Sequence, residues 1–312
     1  MPYTTDEIVA DVQGEAMIPN AHGEITPVVI VGILNDVISR VIVPWERRMR
    51  GTERRVVSTD FALAADTATY RIPATADAGG LRDVAFVNSD GDEIEMEQVS
   101  LDEVAKFAST ASPMWGAPYA FCVEGHQVRV LPTPTQADGS IRMKYFRRPG
   151  RLVLVEDAMQ ITLVTYLGGG TGFEALSVPA TFSTSTPLDV IQASPGFDVF
   201  HSSQLPLDVA PVGPPIGVSF LPMATTEAVA GDYIALAGET PVVQLAPELH
   251  PILTALAAAR VEKRIGDRDG ARLSFELAMR DLENMAPLFR SRVQDKPRYG
   301  TSTRAQMRGG RS

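Results

Sequence analysis

The N-terminal end of the chain carries apolar residues at the spacing of α-helices. From Thr4 to Ile18 apolar side chains recur about every four residues, and a run of turn-forming residues then ends the pattern. Thr26 is a suitable N-cap and Pro27 a suitable first residue for a longer, strongly apolar helix. Pro44 is expected to bend or end that helix because proline has no amide proton and crowds the preceding turn.

Helical spacing returns near the C-terminus. One helix is predicted after Pro247, breaking near Gly266 and Asp267, and a last helix from about Asp269 to Phe289. The apolar stripe predicted for the last helix consists of Phe275, Met279, Leu282, Met285 or Ala286, and Phe289. These two helices are predicted to form a hairpin.

Between the helical ends the apolar period shortens to two, which is typical of β-strands. Six segments bounded by turn residues predict antiparallel strands, at 67–72, 81–87, 93–99, 119–123, 127–131 and 140–146. A short helix is predicted over 101–109. Residues 151–240 are rich in Pro, Gly, Ser and Thr and predict a second β-rich part with long loops, in which 209–217 is too rich in proline and glycine for a regular strand.

These patterns predict an α+β fold. The N- and C-terminal helices are expected to form one helical domain, with a long antiparallel β-rich insertion between them. The predicted divisions are helical residues 1–50 and 246–292, a β-rich domain over 51–150, a second β-rich, loop-rich part over 151–245, and a basic C-terminal extension over 293–312.

Composition changes this picture mainly through charge. The 312 residues include 28 basic and 38 acidic ones, a net charge of −10. Residues 290–312 contain seven basic residues and one acidic residue, Asp295, so their net charge is +6. Residues 1–289 therefore have a net charge of −16. A body this acidic repels DNA phosphates, whereas the basic end is suited to an acidic partner.

Three further features concern membrane insertion, secretion and disulfide formation. The most apolar stretch, 27–44, is interrupted by Asn35, Asp36 and Arg40, so no membrane span is predicted. The first residues have neither a basic segment nor an apolar run, which predicts no secretory leader. Cys122 is the only cysteine and cannot form a disulfide within the chain.

Candidate catalytic and binding patterns are weak. Glycines at 168–170 and 172 suggest a phosphate loop, but the Lys-Ser/Thr of such loops is missing, so a flexible turn is favoured over nucleotide binding. The histidines, His22, His126, His201 and His250, are far apart, and His126 with Cys122 supplies only half of a zinc site. His250 is interpreted as a capping or packing residue.

An acidic cluster offers a further alternative. Asp90, Asp92, Glu93, Glu95 and Glu97 are the types of residue that hold calcium or act as an acid and base pair, but the calcium-loop pattern is missing. The last three fall on one face of a strand and are more simply its solvated side. We predict no enzyme activity, no cofactor and no metal.

The C-terminal segment has almost no apolar residue to bury. Its arginines can therefore belong to a solvated, frayed end or to a segment that orders on a partner, and the sequence leaves both open.

The order of several motifs resembles the head-to-tail adaptor, or connector, proteins of tailed bacteriophages. The resemblance rests on the segments Tyr-Arg-Ile-Pro at 70–73, Pro-Tyr-Ala-Phe at 118–121, Val-Arg-Val-Leu-Pro-Thr-Pro at 128–134, Met-Lys-Tyr-Phe-Arg-Arg-Pro at 143–149, Gly-Asp-Tyr-Ile-Ala-Leu-Ala-Gly-Glu at 231–239 and Pro-Glu-Leu-His-Pro at 247–251. It covers nearly the whole chain, except that 168–222 matches nothing in the family pattern.

The resemblance implies a structural virion protein that forms a ring of twelve copies beneath the portal, joins the portal to a downstream tail or nozzle protein, and lines the DNA conduit. It implies a portal-proximal helical domain, a location in the virion neck or tail after assembly in the host cytoplasm, and DNA passage without specific binding. It also implies that the C-terminal extension binds the portal, through Arg290, Arg292, Lys296, Arg298, Tyr299, Arg304, Arg308 and Arg311.

Two other functional classes give different expectations. A phage enzyme would need a polar constellation that the sequence does not contain. A tail or baseplate component with a receptor- or glycan-binding β domain remains an alternative, because residues 151–240 are β-rich and loop-rich.

Overall fold

The fold is taken from a computed structural model of the chain. It describes residues 3–18, 23–49, 56–73, 75–104, 117–167, 170–193, 199–206, 208–210, 217–220 and 228–289. Helices lie at both ends of this part of the chain, and strands fill the middle. The fold is therefore α+β, as the sequence predicts.

The helices follow the predicted order. They are α1 Thr5–Glu15, α2 Pro27–Val37, a π-helix Ile38–Ile42, α3 Val43–Met49, α4 His250–Ile265, α5 Arg268–Asn284 and α6 Ala286–Phe289, with 3₁₀ turns at Leu101–Glu103, Val155–Asp157 and Pro247–Leu249. Thr4 and Glu7 form a capping box at the start of α1, which satisfies amides that would otherwise lack a partner.

Pro44 does not end its helix. The helical run continues through it to Met49, and the turns just before it widen into the π-helix. The amide of Val43 bonds the carbonyl of Ile38, five residues earlier. A π turn inserts one extra residue, so the backbone can pass a residue that lacks an amide proton. The helix therefore continues past Pro44 with a local widening before it.

The expectation about membrane spans also needs correction. By length and composition alone, the continuous helical run Pro27–Met49, of 23 residues, is long and apolar enough to cross a membrane. Four of its apolar side chains, those of Ile30, Leu34, Val37 and Ile42, are fully buried in the core, whereas Val28 is 67% exposed.

The C-terminal hairpin forms as predicted, with one exception. α4 ends at Gly266, whose φ of 100° favours glycine, and Asp267 caps α5 by accepting a bond from the Gly270 amide. Leu282 is buried on the predicted stripe, but Phe275 is 38% exposed. α5 packs against α4, and the buried residues of α5 are Ala271, Ala278 and Leu282.

One apolar cluster contains side chains from helices at both ends of the described chain. Ile8 of α1, Leu34 of α2 and Leu253 of α4 are fully buried in it. Trp45 of α3 meets Phe289 of α6 edge to face, with ring centroids 5.3 Å apart. α4 is central, since α1, α2 and α5 all pack against it.

The strands are short and numerous. They are β1 Val56–Ala62, β2 Thr69–Arg71, β3 Ala76–Val87, β4 Glu93–Glu95, β5 Glu97–Gln98, β6 Ala120–Glu124, β7 Gln127–Leu131, β8 Ser140–Arg147, β9 Arg151–Leu152, β10 Met159–Gln160, β11 Leu163–Leu167, β12 Gly170–Glu174, β13 Leu188–Ile191, β14 Val199–Gln204, β15 Asp208–Ala210, β16 Gly217–Phe220, β17 Tyr233–Leu236 and β18 Glu239–Thr240.

The first β part, built from β1 to β8, packs two sheets on one apolar cluster. The sheet orders are β1-β8-β3-β4 and β2-β7-β6-β5. Alternate residues of β8, including Ile141 and Met143, are fully buried between the sheets. Three details differ from prediction: β1 was missed, β5 pairs parallel to β6, and the helix expected over 101–109 begins as a 3₁₀ turn, beyond which 105–109 lie outside the described residues.

The second β part, built from β10 to β17, repeats this plan. Its sheet orders are β10-β17-β13-β14 and β11-β12-β16-β15, around a cluster that includes Leu188, Val190 and Ile234. The ends of the proline- and glycine-rich segment 209–217 belong to β15 and β16, contrary to the expectation of no regular strand, and 211–216 lie outside the described residues.

Candidate interaction surfaces

The residues predicted to bind the portal cannot be placed. Arg290, Arg292, Lys296, Arg298, Tyr299, Arg304, Arg308 and Arg311 all lie outside the described residues. The described chain ends at Phe289, which is buried in the helical cluster beside Trp45. The last described residue therefore belongs to the helical cluster.

The chain passes between helices and β parts along one seam. The Asn35 side chain accepts a bond from the Leu152 amide at 2.8 Å and donates to the Leu152 carbonyl at 2.9 Å. The strands β9 and β18 run parallel there, and the Thr5 amide bonds the Pro241 carbonyl at 2.8 Å. The two chain segments that connect the second β part to the rest of the chain, around Leu152 and Pro241, are thereby hydrogen-bonded to α2 and α1.

The predicted chemical patterns resolve into structural roles. Glycines 170 and 172 lie in β12, which forms an antiparallel hairpin with β11, so no helix follows them as a phosphate loop requires. His126 occupies the turn between β6 and β7, His201 lies in β14, and His22 is outside the described residues. Among the described residues, no group of three or more His, Cys, Asp or Glu side chains is placed to hold a metal ion.

His250 packs as predicted. Its ring stacks on Tyr3, with centroids 4.7 Å apart, and Nε2 donates to the Leu245 carbonyl at 3.2 Å. Burial lowers the pKa of His250 and favours the neutral ring. Tyr3 bonds Asp11, and burial together with this bond raises the pKa of Tyr3 to about 12. The pair joins the start of α1 to the start of α4.

Cys122 is buried in the first β part. Its Sγ lies 3.7 Å from Oε1 of Glu124, and burial raises the pKa of the thiol. A buried, protonated thiol is a poor nucleophile and a poor metal ligand. This cysteine acts as a small apolar core residue.

The outer face of the first β part carries an ion-pair network. Arg142 of β8 donates two bonds of 2.8 Å to Asp60 and one of 3.0 Å to Glu93, which also pairs with Lys144. These bonds lower the pKa values of Asp60 and Glu93. Glu95, like Glu93, is exposed, which fits the predicted solvated strand face.

A cationic groove lies between α4 and α5. It has a volume of about 360 Å³ and is lined by Ala259, Arg260, Lys263, Arg268, Ala271, Arg272 and Phe275. Arg260 pairs with Asp36 of α2, and Arg272 pairs with Glu276. Within the described part of the chain, Lys263 and Arg268 have no carboxylate within ion-pair distance. Sequence reasoning missed this groove, because its cations come from two helices across a turn.

The end of α1 has the opposite character. Glu15 lies near Glu262 of α4 and near Asp11, and burial together with these like charges raises the pKa of Glu15. Met17, two residues on, is 91% exposed. This end of α1 therefore combines negative charge with an exposed apolar side chain.

Comparison with family models assigns more than half of the chain to a family. A family model described as SU10 adaptor protein matches residues 3–167, which is more than half of the chain. The matched residues comprise the N-terminal helices, the first β part and the start of the second. No curated protein matches the chain.

Proposed function

The chain belongs to the SU10 adaptor protein family, and from this premise we propose that it is a head-to-tail adaptor that forms a ring beneath the portal of a bacteriophage. Family membership makes it a structural phage protein of the virion neck, with portal and tail proteins as its partners. The family match over the N-terminal helices and the first β part is the observation that carries the proposal.

The shared apolar cluster supports a single portal-proximal helical domain, made from 1–50 and 246–292. Fully buried side chains from α1, α2 and α4 meet in it, and the described chain ends in it at Phe289. Portal binding would then involve the helical domain and the extension together. The β parts, over 51–150 and 151–245, would project toward the downstream tail or nozzle protein.

The charge distribution fits a DNA conduit. Residues 1–289 carry a net charge of −16, and a strongly acidic wall does not retain a polyanion that must slide past it. We propose a ring of about twelve copies, by the family resemblance, that assembles in the host cytoplasm and lets DNA pass without specific contacts. No catalytic role is proposed.

The C-terminal extension is proposed to hold the ring on the portal. Deletion of residues 290–312 should leave the subunit folded, because the described core ends at Phe289. Binding to portal rings should fall at least about 100-fold, since contacts repeated around a ring multiply in effect. Co-sedimentation of the truncated chain with portal rings measures this.

The matched control keeps residues 290–312 in place and changes the seven Arg and Lys residues of this segment to Gln. It should bind as weakly as the deletion if the cations make the contacts. Truncated protein that sediments with portal rings at full stoichiometry would refute the proposed docking. Specific binding of the intact chain to cell-surface glycan would instead favour a tail or baseplate component.

A further inference from the structure

The helical layer has two unlike sides. Arg260 and Glu262 are two residues apart on α4 and so point about 200° apart around the helix. Arg260 pairs with Asp36 of α2 and lines the cationic groove, whereas Glu262 lies near Glu15 of α1. Lys263, which also lines the groove, is next to Glu262 and points about 100° away from it. The groove and the acidic end of α1 therefore lie on different sides of α4.

Met17 occupies a position that normally favours glycine. Its φ is 52°, and the Ile18 amide bonds the Gln13 carbonyl at 2.9 Å, five residues back, as in a Schellman helix end. A methionine pays a steric penalty in this left-handed conformation. Here it is also 91% exposed, so neither the backbone nor the core of the subunit explains its presence.

Two residues of the groove occupy positions that are unfavourable for their side chains. Arg268 is the first residue of α5, where the helix dipole disfavours a positive charge. Phe275 is exposed within the groove, although the sequence predicts it in the core. Local conflicts of this kind tend to occur at functional sites.

We propose that the cationic groove between α4 and α5 receives the end of α1 from a second copy of the chain. The Met17 side chain would insert against Phe275, a favourable sulfur–aromatic pairing. Asp11 and Glu15 would face Lys263 and Arg268, which relieves the repulsion among like charges on each side. This inference rests on the proposed ring and identifies its subunit interface.

A contact between the groove of one copy and the end of α1 of the next copy is compatible with a closed ring. The surface offered by each copy differs from the surface that receives it, so the contact is heterologous, and heterologous contacts generate rings when the rotation closes. In each copy the groove receives one neighbour, and the end of α1 is inserted into the other neighbour. An isologous dimer would pair the same end of α1 with itself.

Cysteine pairing tests the contact directly. In full-length protein, Met17→Cys combined with Phe275→Cys should give a ladder of disulfide-linked species on oxidation, read on non-reducing gels. Mixing the two single variants should give linked dimers, and Met17→Cys alone should give none. As a matched control, Met17→Cys combined with Leu176→Cys, which is 87% exposed in the second β part, should cross-link at least about tenfold less.

Charge reversal tests the electrostatic part. Glu15→Lys and Lys263→Glu should each weaken association about tenfold or more, and the double variant should recover most of the loss. Asp90→Lys, on an exposed hairpin turn, is the control and should assemble normally. Met17→Gly should assemble less well yet unfold at the same or a higher temperature, because glycine relieves the backbone.

The wild-type chain must first be shown to form a homo-oligomer, by mass, alone or on portal rings. If it forms none, the proposed function and this interface both fail. If it forms a ring but the cysteine pair gives no intermolecular product and the charge reversal is not rescued, only the interface is wrong. A Met17→Cys variant that cross-links to itself would replace it with an isologous contact.

Discussion

The two β parts follow one plan but place their charges differently. Each packs two four-stranded sheets on one apolar cluster. In the first part Arg142 and Lys144 pair with carboxylates on the outer face. In the second part Asp189 and Asp232 are each only 2% exposed. The first part thus keeps its charges at the surface, and the second part buries two of them.

The buried carboxylates hold loops in place. Asp232 accepts bonds from the amides of Ala193 and Val229, both at 2.9 Å, and Asp189 accepts one from the Gly238 amide at 2.8 Å. Exposed ion pairs contribute little to stability, whereas a buried group left without its partner is costly. The two β parts therefore share an architecture, but the stability of the second part depends more on its polar contacts than that of the first.

The largest effect is expected at Asp232. Asp232→Ala leaves two amides without their acceptor and should lower the free energy of unfolding of the second β part by about 2–4 kcal/mol. Hydrogen exchange of peptides from 188–193 and 233–236, read by mass spectrometry, measures this locally. Asp232→Asn is the control, and it should cost less because its amide oxygen can still accept one of the two bonds.

Unchanged exchange in Asp232→Ala, with the first β part as a reference in the same experiment, would contradict the comparison. Accelerated exchange across both β parts would also contradict the comparison. It would mean that the apolar clusters of the two parts unfold together.

Regular periods made much of the fold predictable. The helices at both ends and all six predicted strands of the first β part were found, although the segment predicted over 93–99 is split into β4 and β5. Most of these elements have one buried face, so the period of their apolar residues follows the geometry. β1 was missed because it lies at a sheet edge and alternates only between half-buried and exposed residues. The parallel pairing of β5 and β6 joins residues 97 and 120, a long-range contact that no local pattern specifies.

The candidate surfaces were less predictable. Phe275 fits the apolar stripe of α5 by spacing, but the residues of α5 that are buried in the structure are Ala271, Ala278 and Leu282. The cationic groove needs Lys263 and Arg268 to be brought together by the turn at Gly266. The sequence contains each residue, but the surface exists only once the two helices are packed.

A smaller effect is expected in the first β part. Arg142→Met removes two exposed ion pairs and should lower the unfolding temperature by at most about 2 °C, with the difference shrinking in 1 M salt (a roughly 3 Å screening length). Arg82→Met is the control, since Arg82 has only a loose contact of 3.8 Å with its neighbour Asp83. A loss as large as that of Asp232→Ala would show that the network supports the fold.

The smallest expected effect is in the acid dependence of the same network. Bonds from Arg142 and Lys144 lower the pKa values of Asp60 and Glu93 in the folded chain. Their contribution is therefore complete above the ordinary carboxyl pKa of about 4 and is lost as the pH falls through the lower folded values. Arg142→Met should make this part of the stability curve shallower.

His250 provides an internal reference for that measurement. Its pKa is lowered by burial, so its contribution is complete above its ordinary pKa of 6.5 and is lost as the pH falls through its lower folded pKa. Thermal unfolding between pH 7 and 3 should then show two separate losses, of which Arg142→Met reduces only the more acidic one. His250→Phe, which keeps an aromatic ring against Tyr3, should reduce only the other. If Arg142→Met changed the loss nearer neutral pH instead, the surface network would have to be coupled to the helical core.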